Sequence, residues 1–316
     1  MSILSEKYFH NEKAAYKFVE NRIWPNGPTC PHCGGVERIS PMKGKSTRIG
    51  SYKCYQCRKP FTVKIGTIFE SSHVKMHLWL QAIFLMASSK KGISSNQLHR
   101  TLGVTLKTAW FMAHRIREAM REGNLSPLGG NGQIVEADET YFGKQDNPQP
   151  SPQRKGRPYT KGGKSGPSGK RAVVGLIERG GSVRTFHVAQ ATKVNVAGLV
   201  TENVSHESTL YTDESRLYGD MKNVFETHDT VKHSSGEYVR GEVHSNTIES
   251  YFSIFKRGMK GTYQHCKEKH LHRYLAEFDF RHNRRVAIGV DDKTRANRIL
   301  SGIVGKRLTY ETTLTR

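Results

Sequence analysis

The spacing of apolar residues changes near residue 130, and this change predicts two kinds of structure. Before it, apolar positions recur every three or four residues, which predicts helices within residues 1–25 and 74–122. Residues 26–69 lie between these helices, are rich in turn-forming residues and favour short strands. Helix breakers in residues 124–133 predict a linker. After the linker, alternating apolar positions predict strands separated by helices, and then a run of C-terminal helices.

Two C-x-x-C pairs frame the strand-forming region. Cys30 and Cys33 form the first pair, Cys54 and Cys57 form the second, and twenty residues separate them. This spacing is typical of a four-sulfur zinc site, in which each pair supplies two thiolates from one tight turn. The region has few large apolar residues, so one structural zinc ion would replace the missing core. Disulfides and redox chemistry are the alternatives.

Residues 93–120 have the pattern of a helix-turn-helix, with a short helix, a turn at Gly103 and a longer second helix. Ala109, Met112 and Ile116 form the predicted buried stripe of the second helix. The opposite side, which a recognition helix presents to DNA, would then be polar and basic. Its predicted DNA contacts are Lys107, Thr108, His114 and Arg115. An ordinary pair of packed helices is the alternative.

The net charge is +22, from 50 Lys and Arg against 28 Asp and Glu, and the excess is spread along the chain. It favours a polyanionic partner, because each neutralised phosphate releases condensed counterions. The sequence predicts neither a signal peptide nor a membrane span, since its longest apolar run, residues 76–87, is too short. We therefore expect double-stranded DNA as the partner, no membrane partner, and a cytoplasmic protein that joins the nucleoid when DNA-bound.

Acidic residues stand near the ends of two apolar strands. Asp138 lies in "IVEADETYFG" and Asp213 in "TLYTDES". A carboxylate in such a place is costly unless it pairs or binds a cation. Glu249, on the helix predicted from "HSNTIESYFSIFKRG", supplies a third carboxylate. Three converging acids in a basic chain favour two Mg²⁺ ions (or Mn²⁺), which promote in-line displacement at a phosphodiester.

Basic residues follow the third acid on the same predicted helix. Lys256 lies seven residues after Glu249 and shares its helix face, and Arg257 follows directly. We expect these cations to hold the DNA backbone beside the metals.

These segments together resemble an insertion-sequence transposase of the DDE type with an N-terminal zinc ribbon. The resemblance rests on "CPHCG…CYQC", "ADETYFG", "TDES" and "HSNTIESYFSIFKRG", with 36 positions from Asp213 to Glu249 and a lysine seven later. It implies an RNase-H-like catalytic domain, Mg²⁺ dependence, terminal inverted repeats as substrate, and strand transfer by 3′-hydroxyl attack. It also implies that Asp138, Asp213 and Glu249 are metal ligands and that Lys256 contacts DNA.

The third metal ligand has more than one candidate. Relatives carry Glu, Asn or His at this position, and Asn246 lies one turn before Glu249. We favour Glu249 as the ligand, because a neutral amide binds a hard cation more weakly than a carboxylate. Asn246 is then its neighbour or substitute, and His244 and Glu139 are reserve candidates.

A basic segment follows the first acidic strand. Between residues 154 and 171 there are seven Lys or Arg and no acids. Such a segment is typical of a solvated loop, and we interpret it as an arm that contacts the DNA backbone. The residues concerned are Arg154, Lys155, Arg157, Lys161, Lys164, Lys170 and Arg171.

The predicted fold class is therefore multidomain, with a small zinc ribbon, an all-α helix-turn-helix and an α/β RNase-H-like domain with a mixed sheet and C-terminal helices. The predicted bounds are 1–25 for an N-terminal helix, 26–69 for the ribbon, 74–123 for the helix-turn-helix, 133–286 for the catalytic domain and 287–316 for a tail. Pairing of two DNA ends implies a homodimer or a higher oligomer. A non-catalytic DNA-binding regulator and a metal-dependent nuclease or resolvase without joining activity are the alternatives.

Overall fold

The computed structural model describes residues 2–123, 125–146 and 169–309. The chain forms two compact units. The first comprises Met1–Glu122 and Arg284–Arg316, and the second comprises Gly123–Asn283. The helices of the described residues are all too short or too polar to cross a lipid bilayer.

Eight helices and eight strands are found in the described residues. In chain order they are α1 (Glu12–Ile23), β1 (Ile39–Pro41), β2 (Tyr52–Cys54), β3 (Pro60–Phe61), α2 (Met76–Ser88), α3 (Ser95–Leu102), α4 (Leu106–Met120), β4 (Ile134–Lys144), β5 (Lys170–Glu178), β6 (Val183–Val188), α5 (Lys193–Asn203), β7 (Thr209–Asp213), β8 (Thr227–Val231), α6 (Asn246–Gly258), α7 (Leu271–His282) and α8 (Asp292–Ser301).

The C-terminal segment belongs to the first unit. Its helix α8 packs against α2, and Ala296, Ile299 and Leu300 are buried there. The guanidinium of Arg295 donates a hydrogen bond of 2.9 Å to the carbonyl oxygen of Ala87. The prediction of a tail over 287–316 is therefore wrong for its described part. A short, largely polar helix gives a weak pattern, and its burial depends on an apolar surface far away in the sequence.

Helices α3 and α4 adopt the predicted arrangement around a turn. Ser94 caps α3 by accepting a hydrogen bond from the amide of Gln97, and Gly103 ends the helix at a φ of 65°. Thr105 caps α4 through the amide of Thr108. On α4, Lys107 is exposed and Thr108 is half-buried.

The C-terminal half of α4 is buried on the side that we predicted to face DNA. His114 is completely buried, and Arg115 is only 5% exposed. The guanidinium of Arg115 donates hydrogen bonds to the carbonyl oxygens of Ile68 and Glu70, both at 2.7 Å, and of Leu308 at 3.1 Å. The prediction that His114 and Arg115 contact DNA is therefore wrong, because other segments of the unit cover this part of the helix.

The second unit is built on a five-stranded sheet with the order β6-β5-β4-β7-β8. Strands β4, β5 and β6 are antiparallel neighbours, whereas β7 and β8 run parallel to β4. This order and these directions are those of an RNase-H-like fold. The predicted mixed sheet with C-terminal helices is confirmed.

Alternate residues of the strands supply two cores. Val173 and Ile177 of β5 pack with helices α6 and α7 on one face of the sheet. Val174 and Leu176 pack with α5 on the other face. Because side chains alternate along a strand, even-numbered residues of β4 face α6 and odd-numbered ones face α5. Asp138 therefore lies on the α6 face.

The predicted basic arm lies only partly within the described residues. Arg154, Lys155, Arg157, Lys161 and Lys164 fall outside them. Lys170 begins β5 and is half-buried, and Arg171 is 6% exposed. The guanidinium of Arg171 forms an ion pair of 2.9 Å with Asp146. The prediction that Arg171 contacts DNA is wrong, because the start of β5 directs this side chain into the protein.

The contrast between Arg115 and Lys107 on one helix gives a prediction. Substituting Arg115→Ala leaves three carbonyl oxygens without their donor, so we expect it to lower the free energy of unfolding by about 3 kcal/mol. Lys107→Ala removes an exposed cation and is expected to change it by less than about 0.5 kcal/mol. Chemical denaturation measures both. Equal stability of the two variants would contradict the buried role of Arg115.

Candidate active site and metal centres

The four predicted zinc ligands come together in the first unit. The sulfur atoms of Cys30 and Cys57 are 3.6 Å apart, and those of Cys33 and Cys54 are 3.7 Å apart. All four sulfurs lie within 4.8 Å of one another. Thiolates at about 2.3 Å from a tetrahedral zinc ion lie about 3.8 Å apart, so this set fits zinc.

The protein around the four cysteines supports this chemistry. The backbone amide of Cys57 donates a hydrogen bond to Cys54, which lowers the pKa of the Cys54 thiol to about 7 and favours the thiolate. Cys30 and Cys54 are buried with Phe61, and Trp24 and Tyr52 pack against them. The aromatic rings and the cysteines thus form one small core, whereas Cys266 lies outside it.

The register of two strands brings the first two acids level with each other. In the parallel pair β4–β7, Ile134 is opposite Thr209 and Glu136 is opposite Tyr211. Continuing this register by two residues places Asp138 beside Asp213. Strand β7 ends at Asp213, whereas β4 continues to Lys144. Beyond Asp138, the edge of β4 is therefore open on this side.

Burial and repulsion both disfavour charge on these carboxylates. Burial raises the pKa of Asp138 well above its ordinary value, and the charges of Asp213, Glu139 and Glu249 raise it further. Burial also raises the pKa of Asp213, and the charge of Glu249 adds to this rise. The hydrogen bonds of both aspartates are local, from the amides of Glu139 and Ser215.

The protein supplies these aspartates with little compensating charge. Among the described residues, neither Asp138 nor Asp213 forms an ion pair with a Lys, Arg or His within 4 Å. Half-buried carboxylates that lack a cationic partner are a donor set for a hard divalent cation. The three acids fit Mg²⁺ in chemistry. The carboxylate oxygens are farther apart than the cysteine sulfurs. Among the described residues, only the four cysteines bring three or more ligand atoms of His, Cys, Asp or Glu within 4.8 Å of one another.

Helix α6 forms the second wall of the site. Asp138, Glu139 and Thr140 line one side of an open cleft of about 500 Å³, and α6 lines the other. The residues from this side are Glu249, Phe252, Ser253, Lys256 and Arg257 of α6, with Lys260 from the helical turn that follows it. Their spacing of three, four and seven follows one helix face, so Glu249 and the three cations open onto the same cleft.

A glycine allows α6 to approach the sheet at this point. Gly175 of β5 is paired with Asp138. A Cβ atom at Gly175 would lie 2.7 Å from a ring carbon of Phe252 and 2.8 Å from a methyl carbon of Ile248. Any larger residue would therefore push α6, and with it Glu249, away from Asp138.

A completely buried carboxylate holds the N-terminus of α6. One oxygen of Glu136 accepts hydrogen bonds from the amides of Thr247 at 2.9 Å and Ile248 at 3.1 Å. Its other oxygen accepts from the Thr247 hydroxyl at 2.9 Å and from Arg179 at 2.7 Å. Glu136 lies two residues before Asp138 on the same face of β4, so the strand that carries the first acid also positions the helix of the third.

The other candidates for the third metal ligand, Asn246, His244 and Glu139, lie in different surroundings. Asn246 is exposed as the first residue of α6. His244 lies 3.3 Å from Glu136 and 2.9 Å from Arg179, so its Nδ1 belongs to the network that anchors α6. Glu139 accepts hydrogen bonds from Tyr218 at 2.9 Å and Ser215 at 3.4 Å.

Two residues beside the acids were absent from the sequence prediction. The sequence does contain a signal for Glu136. It stands between apolar residues two positions before Asp138, so it shares the strand face of Asp138, and a carboxylate buried there requires a partner. His233 lies 3.7 Å from Glu249 and its charge lowers the pKa of Asp213. No sequence pattern indicated His233, since it follows β8 and approaches Glu249 only through the fold.

Comparisons with known proteins give the families and relatives that the chain matches. Residues 127–283 match the family model of the ISXO2-like transposase domain, and residues 10–60 match that of the transposase zinc-ribbon domain. A relative from Halobacterium salinarum, described as an uncharacterized protein in transposable element ISH50, is 29% identical over 286 residues. The match covers 87% of this chain and 92% of the relative.

Two solved structures overlap weakly with the chain. The Mos1 strand transfer complex is 13% identical with a TM-score of 0.28, over 70% of this chain and 72% of that one. The pre-cleavage Mos1 transpososome is 11% identical with a TM-score of 0.19, over 67% and 78%. We therefore assign the fold from the strand order of the sheet and not from these overlaps.

The four-thiol geometry predicts the effect of losing one ligand. We expect Cys54→Ser to lose tightly bound zinc and to unfold the ribbon, because structural zinc contributes about 10–16 kcal/mol in small domains. Metal analysis and limited proteolysis within residues 26–69 measure this. Cys266→Ser is the matched control and should keep its zinc. Wild-type zinc affinity in the Cys54 variant would contradict the site.

The hydrogen bonds of Glu136 predict a local effect on α6. Glu136→Ala removes the carboxylate partner of the Arg179 Nε and the acceptor of two helix amides, so we expect a loss of about 3–5 kcal/mol in unfolding free energy. Amide hydrogen exchange should accelerate at Thr247 and Ile248 in particular. Glu202→Ala, which removes an exposed carboxylate from the same unit, is the control. Unchanged exchange at α6 in the Glu136 variant would show that the helix is held by other contacts.

Proposed function

The chain belongs to the insertion-sequence transposases that carry an ISXO2-like transposase domain and a transposase zinc ribbon, and we propose that Asp138, Asp213 and Glu249 form its catalytic centre. The observation that carries this proposal is the pair of level aspartates, half-buried and without an ion-pair partner among the described residues, beneath a helix that bears a third acid. The reaction would be cleavage of DNA at the element's ends and joining of the ends to a target, as a polynucleotidyl transferase.

The acids of the cleft would hold two Mg²⁺ ions, or Mn²⁺. When bound, such ions activate the attacking oxygen and stabilise the leaving oxygen in phosphodiester displacement. We propose Glu249 as the third ligand, because it lines the same cleft as Asp138 and its charge acts on both aspartates. Asn246 is the substitute candidate. The four cysteines would hold one structural zinc ion.

The basic residues of α6 would bind the DNA backbone at the cleft. Lys256 is half-buried, and burial lowers its pKa, whereas the charge of Asp138 acts to raise it. Arg257 and Lys260 are exposed on the same side. A scissile phosphate in the cleft would thus lie between acids that bind cations and a row of cations that holds the flanking phosphates.

The first unit would recognise the ends of the element. On α4, the exposed Lys107 and the half-buried Thr108 remain the proposed contacts of the helix-turn-helix, and terminal inverted repeats are the proposed duplex. Simultaneous binding of two ends would require at least two copies of the chain. Action on chromosomal DNA places the protein in the cytoplasm with the nucleoid.

Replacing one aspartate tests the catalytic proposal. We expect Asp138→Asn to reduce cleavage and strand transfer to background while binding of an end-bearing duplex stays at the wild-type level. Cleavage and joining are measured on labelled DNA, and binding is measured by fluorescence anisotropy. Full activity of the variant would favour a DNA-binding regulator, and wild-type cleavage without joining on precut ends would favour a nuclease.

Asp138→Asn is expected to stabilise the folded protein, although it abolishes the activity. The pKa of folded Asp138 is raised above its ordinary value of 3.8, so its contribution to stability is greatest below that value and is lost as the pH rises through the folded pKa. With a chelator at alkaline pH, we expect Asp138→Asn to melt higher than the wild type, by about 2–4 °C per kcal/mol of relieved repulsion. The difference should shrink as the pH approaches 4.

Asp220→Asn is the control for the melting experiment. Asp220 is exposed and pairs with Lys193, so its substitution should leave the melting temperature nearly unchanged. A lower melting temperature of the Asp138 variant at alkaline pH would contradict the repulsion inferred for the acidic site. Added Mg²⁺ should stabilise the wild type more than the variant.

A further inference from the structure

A second cleft lies in the first unit, between α1 and the loop that joins β1 to β2. This loop, residues 42–51, is called the ribbon loop below. The cleft has a volume of about 540 Å³. Its polar lining is Lys13, Lys17, Asn21, Thr47, Arg48 and Ser51. The sequence analysis did not predict this cleft, because it is made by a helix and a loop that are distant in the chain.

The cleft is strongly basic. Lys13 and Lys17 are exposed four residues apart on one face of α1, and Arg48 is exposed on the ribbon loop. Lys43 and Lys45 are exposed on the same loop. Among the described residues, none of these five cations forms an ion pair.

Two other exposed cations of this unit pair with acids, in contrast to those of the cleft. Arg121 pairs with Glu118 at 2.7 Å, and Lys293 pairs with Glu6 at 3.8 Å. The one acid that lines the cleft, Glu20, is half-buried and accepts a hydrogen bond of 3.1 Å from the Tyr52 hydroxyl. The cleft is therefore a local concentration of positive charge and hydrogen-bond donors.

The walls of the cleft are fixed by close packing. Gly50 has a φ of +69°, and a Cβ atom there would lie 2.5 Å from a ring carbon of Tyr16 and 2.9 Å from an oxygen of Glu20. Only glycine lets the ribbon loop contact α1 so closely. Together with the bond from Tyr52 to Glu20, this contact holds the cations of the loop and the helix in a preformed arrangement.

We propose that this cleft binds the sugar-phosphate backbone of the duplex at the element's end. The inference rests on the proposed function, which makes DNA the substrate. Unpaired lysines and an arginine beside short hydroxyl and amide side chains are the groups that contact phosphate oxygens. α1 and the ribbon loop then form a second contact with DNA, separate from the exposed start of α4. This contact sets affinity and not base preference.

The test is the salt dependence of DNA binding by the full chain, measured without divalent metal. The probe is a fluorescein-labelled duplex that carries the DNA flanking the coding region, and a scrambled duplex is measured beside it. We expect the double variant Lys17→Ala, Arg48→Ala to lose on the order of tenfold in affinity for both duplexes. The slope of log K against log salt should fall by about 2, since each lost phosphate contact lowers it by about 1.

Two controls separate the cleft from net charge and from misfolding. Lys7→Ala with Lys293→Ala removes the same charge outside the cleft and should leave the slope unchanged. Lys17→Arg with Arg48→Lys keeps both cations and should bind like the wild type. Zinc content and melting temperature are measured for every variant.

Several outcomes would overturn the inference. These are an unchanged slope in the cleft variant, an equal loss in the Lys7 and Lys293 variant, or a loss confined to the end-bearing duplex. Each leaves the catalytic proposal intact, because binding without divalent metal does not involve the acids. Conversely, full activity of the Asp138 variant would contradict the catalytic proposal but not the inference that the cleft binds DNA.

Discussion

Repulsion between the carboxylates of Asp138, within β4, and Asp213, at the end of β7, is the constraint around which the second unit is built. The parallel register brings Asp138 level with Asp213, and Glu139 and Glu249 add negative charge nearby. Burial and like charge both oppose ionisation, which raises the pKa of each aspartate. A protein gains no stability from such a cluster, which is the physical basis for proposing these acids as ligands of divalent cations.

The third acid depends on how one helix is attached to the sheet. Glu136 binds the first turn of α6 through two amides and a hydroxyl, and Gly175 lets the middle of the helix rest on β5. Both residues lie next to Asp138, one along its strand and one across from it. The first and third acids are thus positioned by a few neighbouring residues. Small changes at Glu136 or Gly175 would act on the proposed catalytic centre although neither residue is one of its three acids.

Burial divides the basic residues of this chain into two groups with different roles. Arg115, Arg171 and Arg295 are buried and donate hydrogen bonds to carbonyl oxygens or acids. They hold segments together, as the planar guanidinium with its five donors allows. The exposed lysines of α1 and of the ribbon loop form no ion pair among the described residues, and they are the groups available to phosphates. A count of basic residues predicts a polyanionic partner but does not separate these groups.

The sequence by itself determined the features that depend on local spacing. The cysteine pairs predicted the zinc ribbon, the alternation in "IVEADETYFG" placed Asp138 on a strand, and the helical spacing put Glu249 and Lys256 on one face, because periodicity is a property of neighbouring residues. Tertiary structure decided what depends on distant segments. It buried His114 and Arg115, brought α8 onto α2, and joined Glu136 to the N-terminus of α6. Side-chain exposure and ion pairing are set by whatever packs nearby, and no pattern along one segment contains that information.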